Sequence, residues 1–236
     1  MTRILAAATV MFVMAACGGD ARLKVFAAAS LTEVFERIDP DARYNFAGSD
    51  ELAAQIRQGA PADVYAAASE VLPDELHADG LIEEPGPFAT NRLVLIVPRD
   101  NPAGIVSVSD VARPGVKLVI GAEGVPVGDY TRTVLENLNA LDVLERVVSE
   151  EQDVKAVVGK VALGEADAGF VYATDVQPVV DDVIAIELPA AGQPEVTYAI
   201  AVVDAADNGD EAESFVESVL SDRGRRLLQE AGFGIP

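Results

Sequence analysis

The sequence predicts an α/β protein built as two lobes facing each other across a ligand cleft. Each lobe is expected to be a mixed, mainly parallel sheet flanked by helices. Three observations predict this. Strand-like and helix-like runs alternate along the chain. Two turn-rich breaks, PRDNPAG at 98–104 and PAAGQP at 189–194, frame a middle block, so the chain crosses between lobes twice. Several strands run into small residues and then a helix, the edge where ligands bind in open α/β sheets.

The elements follow in order. Apolar, β-branched or aromatic runs at 24–27, 43–46, 64–66, 93–97, 117–120, 168–171, 183–187 and 198–203 read as strands. Runs with apolar residues at helical spacing at 31–38, 51–58, 70–79, 131–139, 153–163, 211–220 and 222–231 read as helices. The breaks divide the chain into a first lobe of 23–97 and 195–236 and a second of 98–194. No internal repeat is visible.

The first residues read as a processing signal. Arg3 precedes an apolar run at 4–16 that is shorter than the roughly 20 helical residues a bilayer needs. The run ends in Met-Ala-Ala-Cys17-Gly-Gly, which resembles the lipobox of bacterial lipoproteins. That resemblance implies a signal peptide at 1–16, a lipidated Cys17, a tether at 17–22, and a location outside the cytoplasmic membrane. Cys17 is the only cysteine, which excludes an intrachain disulfide or a cysteine metal cluster.

With 39 acidic against 17 basic residues, the net charge is -22. Such a surface repels nucleic acid, so no nucleic-acid partner is expected. A bound anion would have to be held against this field by local dipoles in a closed pocket. His77 is the only histidine and there is no Trp. This argues against a serine–histidine triad, a multi-histidine metal site or an aromatic carbohydrate platform, and no enzyme activity is expected. The adjacent acidic pairs read as solvated faces.

Chemistry concentrates at the strand–helix junctions. In VFAAASLTEVF, Ser30 falls where a strand ends and a helix begins, the N-cap position. Unpaired N–H groups and the helix dipole make that end a site for an oxyanion. FAGSDELAAQI repeats the logic with Ser49. GAEGVPVGDYT is a glycine- and proline-rich loop that leaves the N–H groups of Val127 and Gly128 well placed to be free. In EEQDVK, Asp153 is a plausible N-cap with Val154 in the first turn, and GFVYATD ends a strand in Tyr172, whose phenol can donate.

Together, FAAASLTEVF, FAGSDELAAQI, GAPADVYAAAS, GAEGVPVGDYT, EEQDVKAVVGKV and GFVYATDV, in this order, resemble the periplasmic molybdate-binding proteins of bacterial ABC molybdate importers. The likeness spans 23–235. It implies a periplasmic-binding-protein-like fold that captures molybdate, and tungstate, as a transported ligand and delivers it to an ABC permease, with no cofactor. It implies that the anion is held by the hydroxyls and N–H groups of Ser30 and Ser49, the N–H groups of Val127 and Val154, and the Tyr172 hydroxyl. Molybdenum would be bound only as its oxyanion, with no direct metal coordination, by a monomer. Two departures stand out. Asp50 and Glu51 follow the second serine where relatives often have serine or glycine, and Asp50 is expected to face solvent. Val127 stands where relatives often have alanine. The rival readings are a receptor for sulfate, thiosulfate or another small solute on the same fold, an exported enzyme, and a structural lipoprotein.

Overall fold

The computed structural model describes residues 22–236. The expected signal segment at 1–16 and Cys17 lie outside the described residues. Ten strands follow in chain order. β1 Lys24–Ala28, β2 Arg43–Ala47, β3 Val64–Ala67 and β4 Gly86–Asn91 come first. β5 Leu93–Pro98, β6 Leu118–Gly121, β7 Val147–Glu151, β8 Ala168–Tyr172 and β9 Val183–Glu187 follow, and β10 Val196–Val202 closes the set. The helices are α1 Thr32–Ile38, α2 Ser49–Arg57, α3 Val71–Ala78, α4 Val108–Val111, α5 Pro126–Asn137, α6 Val154–Ala162, α7 Gly209–Leu220 and α8 Asp222–Glu230.

The strands form two five-stranded sheets of matching layout, β2-β1-β3-β10-β4 and β7-β6-β8-β5-β9. Both are mixed. β1 runs parallel to β2 and β3, and β10 runs antiparallel to β3 and β4. In the second sheet β6 runs parallel to β7 and β8, and β5 runs antiparallel to β8 and β9. The central strands are buried along their whole length, as the continuous apolar runs LVLIVP and VTYAIAV require. β4 and β7 escape the sequence pattern because both are edge strands, one carrying Pro87 and the other ending in Glu150 and Glu151.

One boundary is corrected. The sequence reading ends the first lobe at residue 97, yet β5 pairs with β8 and β9 in the second sheet. The first crossing therefore falls at Arg92, between β4 and β5. Extended chain runs straight from one sheet to the other there, so no glycine or proline marks it. The 98–104 run is instead a turn beyond β5, with positive φ at Asn101 (41°) and Gly104 (60°). The second crossing, between β9 and β10, does contain the 189–194 break. The Gln193 amide joins the crossings, accepting from the Leu93 N–H at 3.1 Å and donating to the Leu93 carbonyl at 2.7 Å.

Candidate functional site

The parallel strands of the two sheets point their carboxyl ends at one another. The residues that follow β1, β2, β6 and β7, together with the end of β8, enclose a cavity of about 20 Å³. Ser30, Ser49, Val127, Val154 and Tyr172 all line it. All five are buried. The structure thus brings together every residue singled out for the ligand in the sequence.

Local geometry differs from expectation in instructive ways. β1 runs to Ala28, a 3-10 turn covers Ala29–Leu31, and α1 begins only at Thr32. Ser30 is therefore inside the tight turn, not at an N-cap, and its hydroxyl caps nothing. Ser49 is the first residue of α2, with Gly48 at the N-cap, and it too makes no cap bond. The two hydroxyls bond elsewhere. Ser30 Oγ lies 3.0 Å from Tyr198 Oη, and Ser49 Oγ accepts the Ala68 N–H at 3.1 Å. Helix α5 starts at Pro126, earlier than its apolar periodicity, because proline suits the first helical position. Gly128 is corrected: its N–H donates to the Val125 carbonyl at 2.8 Å and is not free.

The N–H groups of Ser30, Ser49, Val127 and Val154 meet no protein acceptor among the described residues. Each lies in the first turn of a helix or 3-10 turn, where the helix supplies no partner. Asp153, which also lines the cavity, caps α6 as expected: its Oδ1 accepts the Ala156 N–H at 2.9 Å, which ties that oxygen to its own helix. The Tyr172 hydroxyl is fully buried with no hydrogen-bond partner. Burial pushes its pKa well above the ordinary phenol value, and Tyr198 and Tyr130 add to this, so it stays protonated as a donor.

Asp50, expected to face solvent, is half-buried. Its Oδ1 is buried and unpartnered, although it does not line the cavity. Beside it, Gly48 packs on the Gln152 carbonyl so closely that a Cβ there would collide with it and sit 2.8 Å from Asp50 Oδ1. Burial raises the Asp50 pKa, and the charges of Glu51 and Asp129 raise it further. Asp63, in the GAPAD run, is structural. Its carboxylate accepts the N–H groups of Lys24, Asp207 and Asn208 and the Asn208 amide. The sequence reading missed Tyr198, Ala68 and Asn91. A tyrosine in a wholly buried strand is the one signal that pointed to Tyr198, since its hydroxyl must find a partner.

A family profile described as bacterial extracellular solute-binding protein matches residues 23–234. The chain belongs to this family. This solute-binding protein is 39% identical over 228 residues to the molybdate-binding protein ModA of Mycobacterium bovis, covering 92% of this chain and 86% of that one. It is 29% identical to the putative ABC transporter substrate-binding lipoprotein YvgL of Bacillus subtilis, covering 97% and 96% of the two chains. Its fold matches the periplasmic molybdate-binding protein of Azotobacter vinelandii with a TM-score of 0.79 at 23% identity, over 91% of this chain and all of that one. Membership places the protein's work outside the cytoplasm, in solute capture.

Proposed function

We propose that the cavity binds molybdate, and tungstate, as the cargo of an ABC importer. The observation that carries this is the Tyr172 hydroxyl, buried and unpartnered beside four free N–H groups and two serine hydroxyls. An orphan donor of this kind requires a partner, and a set made only of donors requires an acceptor. A tetrahedral dianion accepts at every oxygen. Seven donors come from Ser30, Ser49, Val127, Val154 and Tyr172, each contributing roughly 1.5–3 kcal/mol toward a charged acceptor. After the cost of association and closure, that supports nanomolar to micromolar binding. A water needs about 10–15 Å³ of such space, so about 20 Å³ admits one compact ion in this closed form and no sugar or amino acid. Hydrogen phosphate would bring a proton that the donor set cannot accept.

The same reading makes the protein a receptor that performs no chemistry on its ligand. It delivers the anion to a membrane permease, acts as a monomer, and is anchored by lipid on Cys17, which the likeness to a lipoprotein supports. Isothermal titration of the soluble form beginning at Gly18 tests the central claim. One-to-one molybdate binding that excess sulfate fails to displace is the expected result. Sulfate binding of equal strength would make the protein a sulfate receptor, and silence toward all tetrahedral dianions would end the oxyanion reading. Mass spectrometry of the membrane-bound protein checks the acyl group on Cys17.

A further inference from the structure

A donor pocket needs its hydroxyls to present hydrogens, and a serine can equally present a lone pair. The bonds behind Ser30 settle which it presents. The Asn91 Oδ1 accepts the Arg92 N–H at 2.9 Å, which orients the amide. Its Nδ2 then faces two oxygens, Thr174 Oγ1 at 2.9 Å and Tyr198 Oη at 3.3 Å. Tyr198 Oη thus receives a hydrogen from Asn91. Among the described residues its own hydrogen has one acceptor within reach, Ser30 Oγ at 3.0 Å. Ser30 therefore accepts from Tyr198, and its single hydrogen is left for the cavity. Ser49 is set the same way by one bond, the Ala68 N–H. A backbone donor cannot reverse; a tyrosine can, and Asn91 stops it.

We propose that Tyr198, held by Asn91, is a positioning residue that fixes Ser30 as a donor to the bound anion and so helps exclude proton-bearing oxyanions. The proposal rests on the oxyanion reading of the cavity. Tyr198 is buried and does not line the cavity; its ring packs edge-on against Tyr172 at 5.8 Å, and its hydroxyl acts through Ser30. Asn91 is the last residue of β4, at the first crossing between the sheets, and Thr174 follows β8. The relay therefore starts where the two lobes are joined, and a closed crossing orients the serine from behind.

Titrating four proteins with molybdate and with hydrogen phosphate at neutral pH tests this: wild type, Tyr198→Phe, Ser30→Ala, and the double variant. The Phe change keeps the ring packed between Phe88 and Phe233. Tyr198→Phe is expected to weaken molybdate binding about tenfold in the wild-type background and less than twofold in the Ser30→Ala background. It is also expected to narrow the molybdate-to-phosphate ratio. Asn91→Ala, which breaks the relay one bond earlier, should show a smaller loss with the same dependence on Ser30. Equal losses in both backgrounds, or an unchanged ratio, would assign Tyr198 a packing role and overturn the proposal. A wild type that binds molybdate while Tyr198→Phe matches it removes the relay alone. A wild type that binds no tetrahedral dianion removes the relay and the oxyanion reading together.

Discussion

At the scale of single residues, position in the chain revealed the donors, and bonding partners revealed their state. Four of the five follow a strand at or near a helix start and Tyr172 ends one, so spacing pointed to the positions and the family resemblance gathered them into one set. What spacing could not show is that neither serine serves its own helix. Their partners, Tyr198 and Ala68, are 168 and 19 residues away, and contacts of that range leave no local pattern. Changing Ser30 and Ser49 together to alanine should weaken molybdate binding by roughly 3 kcal/mol, a hundredfold or more, by titration. It also orphans the Tyr198 hydroxyl and the Ala68 N–H, so a thermal midpoint a few degrees lower is expected beside the lost affinity. Asp50 is the opposite case. Its identity was legible as a departure, and the burial of its Oδ1 was not, because burial is decided by the packing of the whole molecule. A bound dianion adds negative charge near a half-buried carboxyl whose pKa is already raised by desolvation, Glu51 and Asp129. Asp50→Asn is therefore expected to tighten molybdate binding several-fold near neutral pH, with the gain shrinking as the solution is acidified. An unchanged affinity would mean that Asp50 is already protonated or electrically remote from the anion.

At the scale of elements, the sequence legibly carried the central strands and the amphipathic helices, and lost what tertiary packing decides. β10 and β5 are continuous apolar runs and were read directly. The edge strands β4 and β7 have one neighbour each and a composition suited to solvent. Helix α5 was read late because its first turn, Pro126 to Asp129, has the composition of a loop. That turn matters, since it is what places the Val127 N–H at the cavity. Helix α2 shows a second device. Gly48, its N-cap, meets the Gln152 carbonyl just before α6, so two helix starts from opposite sheets touch around the cavity. The contact leaves no room for a methyl group, yet Gly48 has ordinary extended backbone (φ -60°, ψ 138°) that alanine can adopt. Gly48→Ala should therefore fold normally in the open form and resist closure. The expected signature is a tenfold or greater loss of molybdate affinity, with the ligand-free thermal midpoint within a few degrees of wild type. A variant that binds as tightly as wild type would show that the lobes close without this contact.

At the scale of the whole molecule, closure is held by more than the ligand. Lys155, next to the Val154 donor, reaches across the cleft to Glu33 on α1 at 2.8 Å. Its ammonium also lies 3.5 Å from Asp175, whose side chain is fully buried and makes no hydrogen bond of ordinary length. Burial is the main reason the Asp175 pKa is raised to about 7. Lys155 pulls it down, Glu33 pushes it up, and an N–H from the Tyr172 segment lowers it slightly. Tyr198 also faces it, and its own pKa is raised first by burial and then by that carboxylate. The sign follows from linkage. Below about pH 4 the group is protonated whether the chain is folded or not. Between there and about pH 7 the folded chain keeps a proton that the unfolded chain has released, so its contribution to stability falls as pH rises, and above 7 the loss is complete. With about 1.4 kcal/mol per pKa unit, the full loss is on the order of 4 kcal/mol. Asp175→Asn removes this dependence. Its thermal midpoint should vary less than that of wild type between pH 4 and 7, and above pH 7 it should lie about 8–16 °C higher. If instead the variant is less stable than wild type at pH 8, the ion pair with Lys155 outweighs the burial of the charge. The Lys155 bridge would then be held from both sides by carboxylates, and loss of either would loosen the closed form.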